Sequence, residues 1–266
     1  HLDHFGTVAA LEDAFAQVAD AVAGPVVGCF DDPGVRRLDQ RSRLVSYGTS
    51  RDAAWRIGEV THRRWGVAFR LEGPGGTTDV EVPKPGVHMA RDAAGVLALL
   101  SELGYDLECA AEGLRTYAGV RRRFEVRATK HGVTIVDDYA HHPTEVAAMV
   151  EAARFGDARR VWVVFQPHRY TRTADLAPEF GAPLAAADRV VVTDVFSAGE
   201  APVPGVTGRI VAEAVAAAGG RVEYVRQLAD VPAHVAPELQ EGDIVLLLGA
   251  GDIPAIAEPL ADLIER

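Results

Sequence analysis

"VTIVDDYAHHPTEV", residues 133–146, runs as an apolar strand and then turns directly into a helix. Val133, Ile135 and Val136 form a short apolar run of the kind found in strands buried in a sheet. His142 then stands before Pro143, which suits the first helical position, with Thr144 and Glu145 placed to support the first turn. The same texture recurs toward the C-terminus in "VWVVF" (161–165), "RVVVTDVF" (189–196), "RVEYV" (221–225) and "DIVLLLGAG" (243–251). Between these runs lie Ala-rich helical stretches at 145–155, 174–187, 207–218 and 229–239, with a last one at 252–265. Alternating strand and helix with apolar strands predicts an α/β architecture: a Rossmann-like, doubly wound, mostly parallel sheet covered on both faces.

Upstream the pattern differs. Residues 7–20 space apolar side chains at helical intervals, with Thr7 and Glu12 supplying acceptors for the first turn. "PVVGCF" (25–30) reads as a strand leaving into a "DDPG" turn, and 42–82 as antiparallel strands with a hairpin at "GPGG" (73–76). Helices are expected over 92–103 and 108–117. The two textures meet near residue 120, which divides the chain into 1–120 and 121–266.

Composition narrows the function classes. Of 266 residues, 48% are hydrophobic, enough for a large domain or two ordinary ones, and the formal net charge of −11 argues against phosphate-backbone binding to nucleic acid. No run approaches the roughly 18 to 20 apolar residues of a membrane span, so a cytoplasmic protein without membrane insertion is expected. Cys29 and Cys109 lack CxxC spacing and read as two buried free thiols. The start "HLDHFG", with no Met and no cap residue before it, suggests the tail of a longer polypeptide.

Ligands of open parallel sheets bind beyond the carboxyl ends of the strands. If strands 133–138 and 161–165 are neighbours, Asp138, Tyr139, His141, His142, His168, Arg169 and Arg172 line one rim. Arg169 and Arg172, three apart, can turn two guanidiniums toward one anion, and the fork of Arg fits a carboxylate or phosphate. Other readings stay open: His142 as a helix cap, or a metal centre from His141, His142 and His168, against which the HxxxH spacing of helical zinc ligands is absent. "GAGD" (249–252) is half of a dinucleotide loop, and tight packing explains its two glycines equally well. No GxxxxGK[ST] phosphate loop occurs in the chain.

Taken together, "HLDHFG", "CFDDPGVRRL", "GVRRRFEV", "VDDYAHHPTEV", "FQPHRYTRTADL", "FSAGEAPVPGVTG" and "LLLGAGDI" resemble the Mur ligase family, in particular its branch that joins L-alanine to UDP-N-acetylmuramate. The resemblance implies that 1–120 is the C-terminal part of a central ATPase domain and 121–266 the C-terminal Rossmann-like domain. It implies an ATP- and Mg²⁺-dependent, amide-forming reaction through an acyl phosphate, in peptidoglycan precursor synthesis. By residue, it places His1 at Mg²⁺, Arg123, Asp138 and His88 near ATP, and Arg169 and Arg172 as a clamp on the alanine carboxylate, with Tyr139 and His141 shaping that pocket. Without a phosphate loop the chain alone is expected to be inactive. The pattern departs at "HMARD" (88–92), where Met89 and Asp92 replace two asparagines of the family. A ligase with a different acceptor, such as the tripeptide of a recycling enzyme, and a non-catalytic small-molecule-binding module are the alternatives.

Overall fold

Thr7 starts the longer of the first two helices. α1 covers Leu2–Phe5 and α2 covers Val8–Ala21, where Thr7 Oγ1 accepts the Ala10 N–H at 3.1 Å. β1 (Val27–Cys29) follows, and the "DDPG" turn continues into α3 (Pro33–Asp39). The reason is local: Asp32 Oδ1 accepts the N–H groups of Gly34 (2.6 Å) and Val35 (3.1 Å), while Pro33 occupies the first helical position. The computed structural model describes residues 2–39, 44–63, 65–156 and 158–264, and its contacts separate into two units, His1–Ala118 and Gly119–Arg266.

The rest of the first unit is β2 (Val45–Gly48), β3 (Trp55–Ile57), β4 (Thr61–Arg63), β5 (Gly66–Gly73), β6 (Gly76–Val82), α4 (Val87–Glu102) and α5 (Leu107–Leu114). β5 and β6 form the expected hairpin, with Gly73 opposite Gly76. Within 42–82, where antiparallel strands are expected, β2 and β3 pair in parallel, and β1 also joins β2 in parallel, with α3 lying between them in the chain. The sheet order is β1-β2-β3-β5-β4, with β6 on β5. Its core sets Trp55, Phe69 and Leu71 against Ala90, Ala94, Leu97 and Ala98 of α4. α4 starts at Val87, five residues before the expected start, so His88 and Met89 lie in its first turn. The cysteines also differ from expectation: Cys29 is half-buried and Cys109, on the outer side of α5, is exposed.

The second unit contains β7 (Glu125–Lys130), β8 (Val133–Asp138), α6 (Pro143–Arg154), β9 (Arg160–Phe165), α7 (Tyr170–Ala185), β10 (Arg189–Val192), α8 (Gly208–Ala217), β11 (Val222–Tyr224), α9 (Val231–Val235), β12 (Asp243–Leu248) and α10 (Ala257–Leu263), with 3₁₀ turns flanking α9 and α10. The order β11-β10-β9-β12-β8-β7 is parallel throughout except for β7, an antiparallel edge strand. Side chains alternate between two faces. Val136, Val163, Phe165, Leu246 and Leu248 pack under α6, α7 and α8, and Ile135, Trp162, Val164, Val245 and Leu247 meet α9 and α10. Burial on both faces explains the continuous apolar runs, each such side chain contributing about 1.5–3 kcal/mol. β7 is hidden in the sequence because Glu125, Arg127 and Lys130 make it read as a polar loop. Among the described residues no helix is long and apolar enough to cross a membrane.

Candidate functional site

β8, β12 and β9 end in register, with Leu248 of β12 opposite both Asp138 and Phe165. β12 therefore separates β8 from β9, so the two strands that carry the rim residues are not neighbours. The rim forms nevertheless, and the chain beyond β12 packs tightly against Gln166 and Phe196. A Cβ at Gly249 (φ +154°) would come 2.8 Å from the Gln166 carbonyl, and one at Gly251 would come 2.6 Å from Phe196 Cγ. Close packing thus explains the glycines of "GAGD". The His141 and His168 rings approach to 5.8 Å between centroids.

The segment after β8 is held by its own helix terminus. Glu145 accepts the N–H groups of His141 (2.9 Å) and His142 (3.1 Å), and His142 Nδ1 accepts that of Thr144 (3.4 Å), a reciprocal capping box with Pro143 at the first helical position. His142 is thus the cap of α6. His141 Nδ1 lies 3.0 Å from the Tyr139 carbonyl, which places a proton on that nitrogen. The Tyr139 and His141 rings meet edge to face at 5.3 Å.

Across the rim, the half-buried His168 stacks on Phe196 (5.7 Å, 12°), and its Nδ1 lies 3.5 Å from Arg172 Nη1. Burial, then the positive charges of Arg172, His141 and Arg169, push its pKa down to about 4, so the ring is neutral at pH 7. Arg169 adopts φ +69° at the N-cap of α7 and makes no side-chain cap there. The cap comes from another loop: Glu200 accepts the Thr171 N–H (3.1 Å) and hydroxyl (2.7 Å) and lies 3.8 Å from Arg169 Nη1. Burial would raise the Glu200 pKa, and its hydrogen bonds from Thr171 and Tyr170 outweigh that and leave it lowered. Arg169 and Arg172 are thus engaged by different partners, Glu200 and His168, and the sequence reading passed over Glu200 because it lies 29 residues beyond Thr171.

Asp138 points inward. It is 2% exposed, and its two oxygens accept the N–H groups of Phe124 and Ala140, each at 2.8 Å. Burial pushes its pKa up to about 6. Both oxygens are committed to the backbone, so its effect on a nucleotide would be through the loop it holds. Arg123 points the other way: its side chain is 53% exposed, 4.0 Å from Glu145 Oε1, with its guanidinium carbon 5.6 Å from the Tyr139 ring centre. The adjacent Arg122, also missed, reaches back to the Gly249 carbonyl at 2.6 Å.

A connected rim of Arg123, Tyr139, His141, His168, Arg172 and Arg169 results. His88 belongs to the first unit, half-buried in the first turn of α4. Beyond it, Asp92 is exposed and Arg91 pairs with Asp31 at 2.9 Å. His1 lies outside the described residues, and among those described no group of three His, Cys, Asp or Glu side chains is placed to hold a metal ion. Among the described residues no set of side chains assembles a Mg²⁺ site of its own.

Residues 122–251 match the family model described as Mur ligase, glutamate ligase domain. The chain is 42% identical over 277 residues to the UDP-N-acetylmuramate--L-alanine ligase of Salinibacter ruber, covering 100% of this chain and 58% of that protein. It is likewise 42% identical over 273 residues to the Myxococcus xanthus enzyme of the same name, covering 99% and 57%. The crystal structure of a UDP-N-acetylmuramate-alanine ligase from Thermotoga maritima superposes with a TM-score of 0.80 at 25% identity, over 98% of this chain and 56% of that one. The chain thus spans just over half the length of these relatives. With the doubly wound sheet and the strand-end motifs on the same residues, residues 122–251 form a Mur ligase C-terminal domain.

Proposed function

We propose that the chain is part of an ATP-dependent ligase that joins L-alanine to UDP-N-acetylmuramate in the cytoplasm. The observation that carries this reading is the rim in which Arg172 stands beside a neutral His168, facing His141 and Tyr139 at the strand ends. In this reading residues 1–118 are the later part of a central ATPase domain, and His88 contributes there to the nucleotide site. ATP activates the muramate carboxylate as an acyl phosphate; the alanine amine then attacks the acyl carbon, and inorganic phosphate leaves as the amide forms.

The chain's own residues do the positioning. Arg172 binds the alanine carboxylate, since its other neighbour, His168, is uncharged and does not compete for it. Arg169, partly neutralised by Glu200, frames the same pocket, so the site carries close to one net positive charge for one carboxylate. Tyr139 and His141 form its wall. Arg123, exposed beside Tyr139, meets the nucleotide, and Asp138 supports it by fixing the Phe124 backbone. Excluding water at this rim protects the acyl phosphate from hydrolysis.

The test is L-alanine-dependent ADP release by a protein extended to the relatives' length. A hydrogen bond to a charged group contributes about 1.5–3 kcal/mol, so Arg172→Ala should raise the alanine KM about tenfold to a hundredfold and leave the ATP KM unchanged. Equal effects on both substrates would remove Arg172 from the alanine pocket, and ADP release indifferent to alanine would overturn the assignment.

A further inference from the structure

Two charged side chains behind the rim are unused by the reading above. Asp137 is 0% exposed within β8, and neither of its oxygens has a hydrogen-bond partner. Its nearest ion-pair contact is Arg122 Nε, 3.5 Å from Oδ2, a nitrogen that is itself buried and makes no hydrogen bond. A buried acid without hydrogen bonds costs free energy that a nearby cation only partly offsets. Burial raises the Asp137 pKa, opposed by Arg122 and Arg127.

Arg122 is tied to several segments at once. Its Nη2 donates to the Gly249 carbonyl at 2.6 Å, at the end of β12. Its guanidinium carbon lies 4.8 Å from the Tyr139 ring centre, closer than that of Arg123. Its backbone carbonyl accepts the Tyr139 N–H at 2.9 Å, and its own N–H donates to Glu125 Oε2 at 2.8 Å. The turn is conformationally costly: Arg122 (φ +58°) and Phe124 (φ +45°) both occupy the left-handed region. Such a turn persists only where its surroundings over-determine it, and here one guanidinium supplies an edge to Asp137, a tip to Gly249 and a face to Tyr139. A lysine ammonium has neither the fork nor the planar face.

We infer that Arg122, held from behind by the buried Asp137, is a positioning residue that locks Tyr139 and the Gly249 turn and thereby aims Arg123 outward. Arg122 touches no substrate in this arrangement. Its effect passes through Tyr139 and through the backbone it shares with Arg123.

Two measurements test this. In the 266-residue chain, Arg122→Lys keeps a cation beside Asp137 and should preserve the fold, while amide hydrogen exchange at Tyr139 and Phe124 accelerates about tenfold or more, as expected for losing a charged hydrogen bond. In the extended protein, the same variant should raise the KM for ATP and for alanine together by about tenfold, because Arg123 meets the nucleotide and Tyr139 walls the alanine pocket. Asp137→Asn, an isostere that removes the buried charge, should act in the same direction. Combining it with Arg122→Lys should add almost nothing, because the two residues work as one unit. Unchanged exchange at Tyr139, or independent and multiplicative effects of the two substitutions, would overturn the inference, as would activity that tracks only the folded fraction. The kinetic arm rests on the proposed ligase reading. If the unsubstituted extended protein shows no alanine-dependent ADP release, that reading fails, while the exchange arm still decides the role of Arg122.

Discussion

Replacing Asp138 with asparagine separates the two forces on that carboxyl. It is 2% exposed, which opposes ionisation, yet it accepts two backbone N–H groups at 2.8 Å, which favours ionisation. Burial wins, and the pKa rises from 3.8 to about 6. For a group whose pKa is higher in the folded state, the stabilisation is fully present below the unfolded pKa and is lost as pH rises through the folded one. At about 1.4 kcal/mol per pH unit, the rise corresponds to about 3 kcal/mol, lost between roughly pH 4 and 6. Asparagine cannot titrate. The assay is urea unfolding of wild type and Asp138→Asn from pH 3.5 to 7.5, read by hydrogen exchange of peptides covering residues 133–140 so that the second unit alone is followed. The stability difference, wild type minus variant, should fall by about 3 kcal/mol across that window. A difference that stays flat, or that rises with pH, would show that the two backbone hydrogen bonds outweigh burial and refute the reasoning.

Two further outcomes follow from the same unit. Glu200→Ala removes the only acidic cap identified for α7 among the described residues and releases Arg169; it should cost about 1 kcal/mol of stability and raise the alanine KM of the extended protein, and an unchanged KM would separate the cap from the pocket. Gly208→Ala would drive a methyl group into the Thr193 carbonyl and to 3.2 Å from Tyr224 Cε2. The resulting overpacking should destabilise the second unit by about 1–3 kcal/mol without shifting the unfolding of the first; equal midpoints for variant and wild type in urea would contradict that geometry.

Much of the second unit is legible from residue order. Apolar runs bounded by helical stretches announce a parallel sheet covered on both faces, and "HHPTE" announces the start of α6, to which the structure adds the reciprocal bonds of His142 and Glu145. These features depend on neighbours a few residues apart. Strand order is different: β12 sits between β8 and β9 although it is last in the chain, and its position follows from long-range packing that no local pattern encodes. β7 and the parallel pairing of β1 to β3 escaped for the same reason, since an edge strand needs few apolar residues and a short crossover helix looks like a turn.

The candidate site divides along the same line. The strand-end rule brings Tyr139, His141, His168 and Arg172 to one rim, and the structure does bring them together. Adjacent residues of like chemistry, however, cannot be told apart by composition. Asp137 and Asp138 both turn out to be buried, one beside Arg122 and one beneath two backbone amides, while Arg122 reaches inward and Arg123 outward. The sequence by itself determined most strands and helices of the second unit and the start of α6, because these rest on spacing and local hydrogen bonding. The tertiary structure alone decided which of two neighbouring charges meets solvent and that Glu200 caps a distant helix, because direction and burial are set by segments far away along the chain.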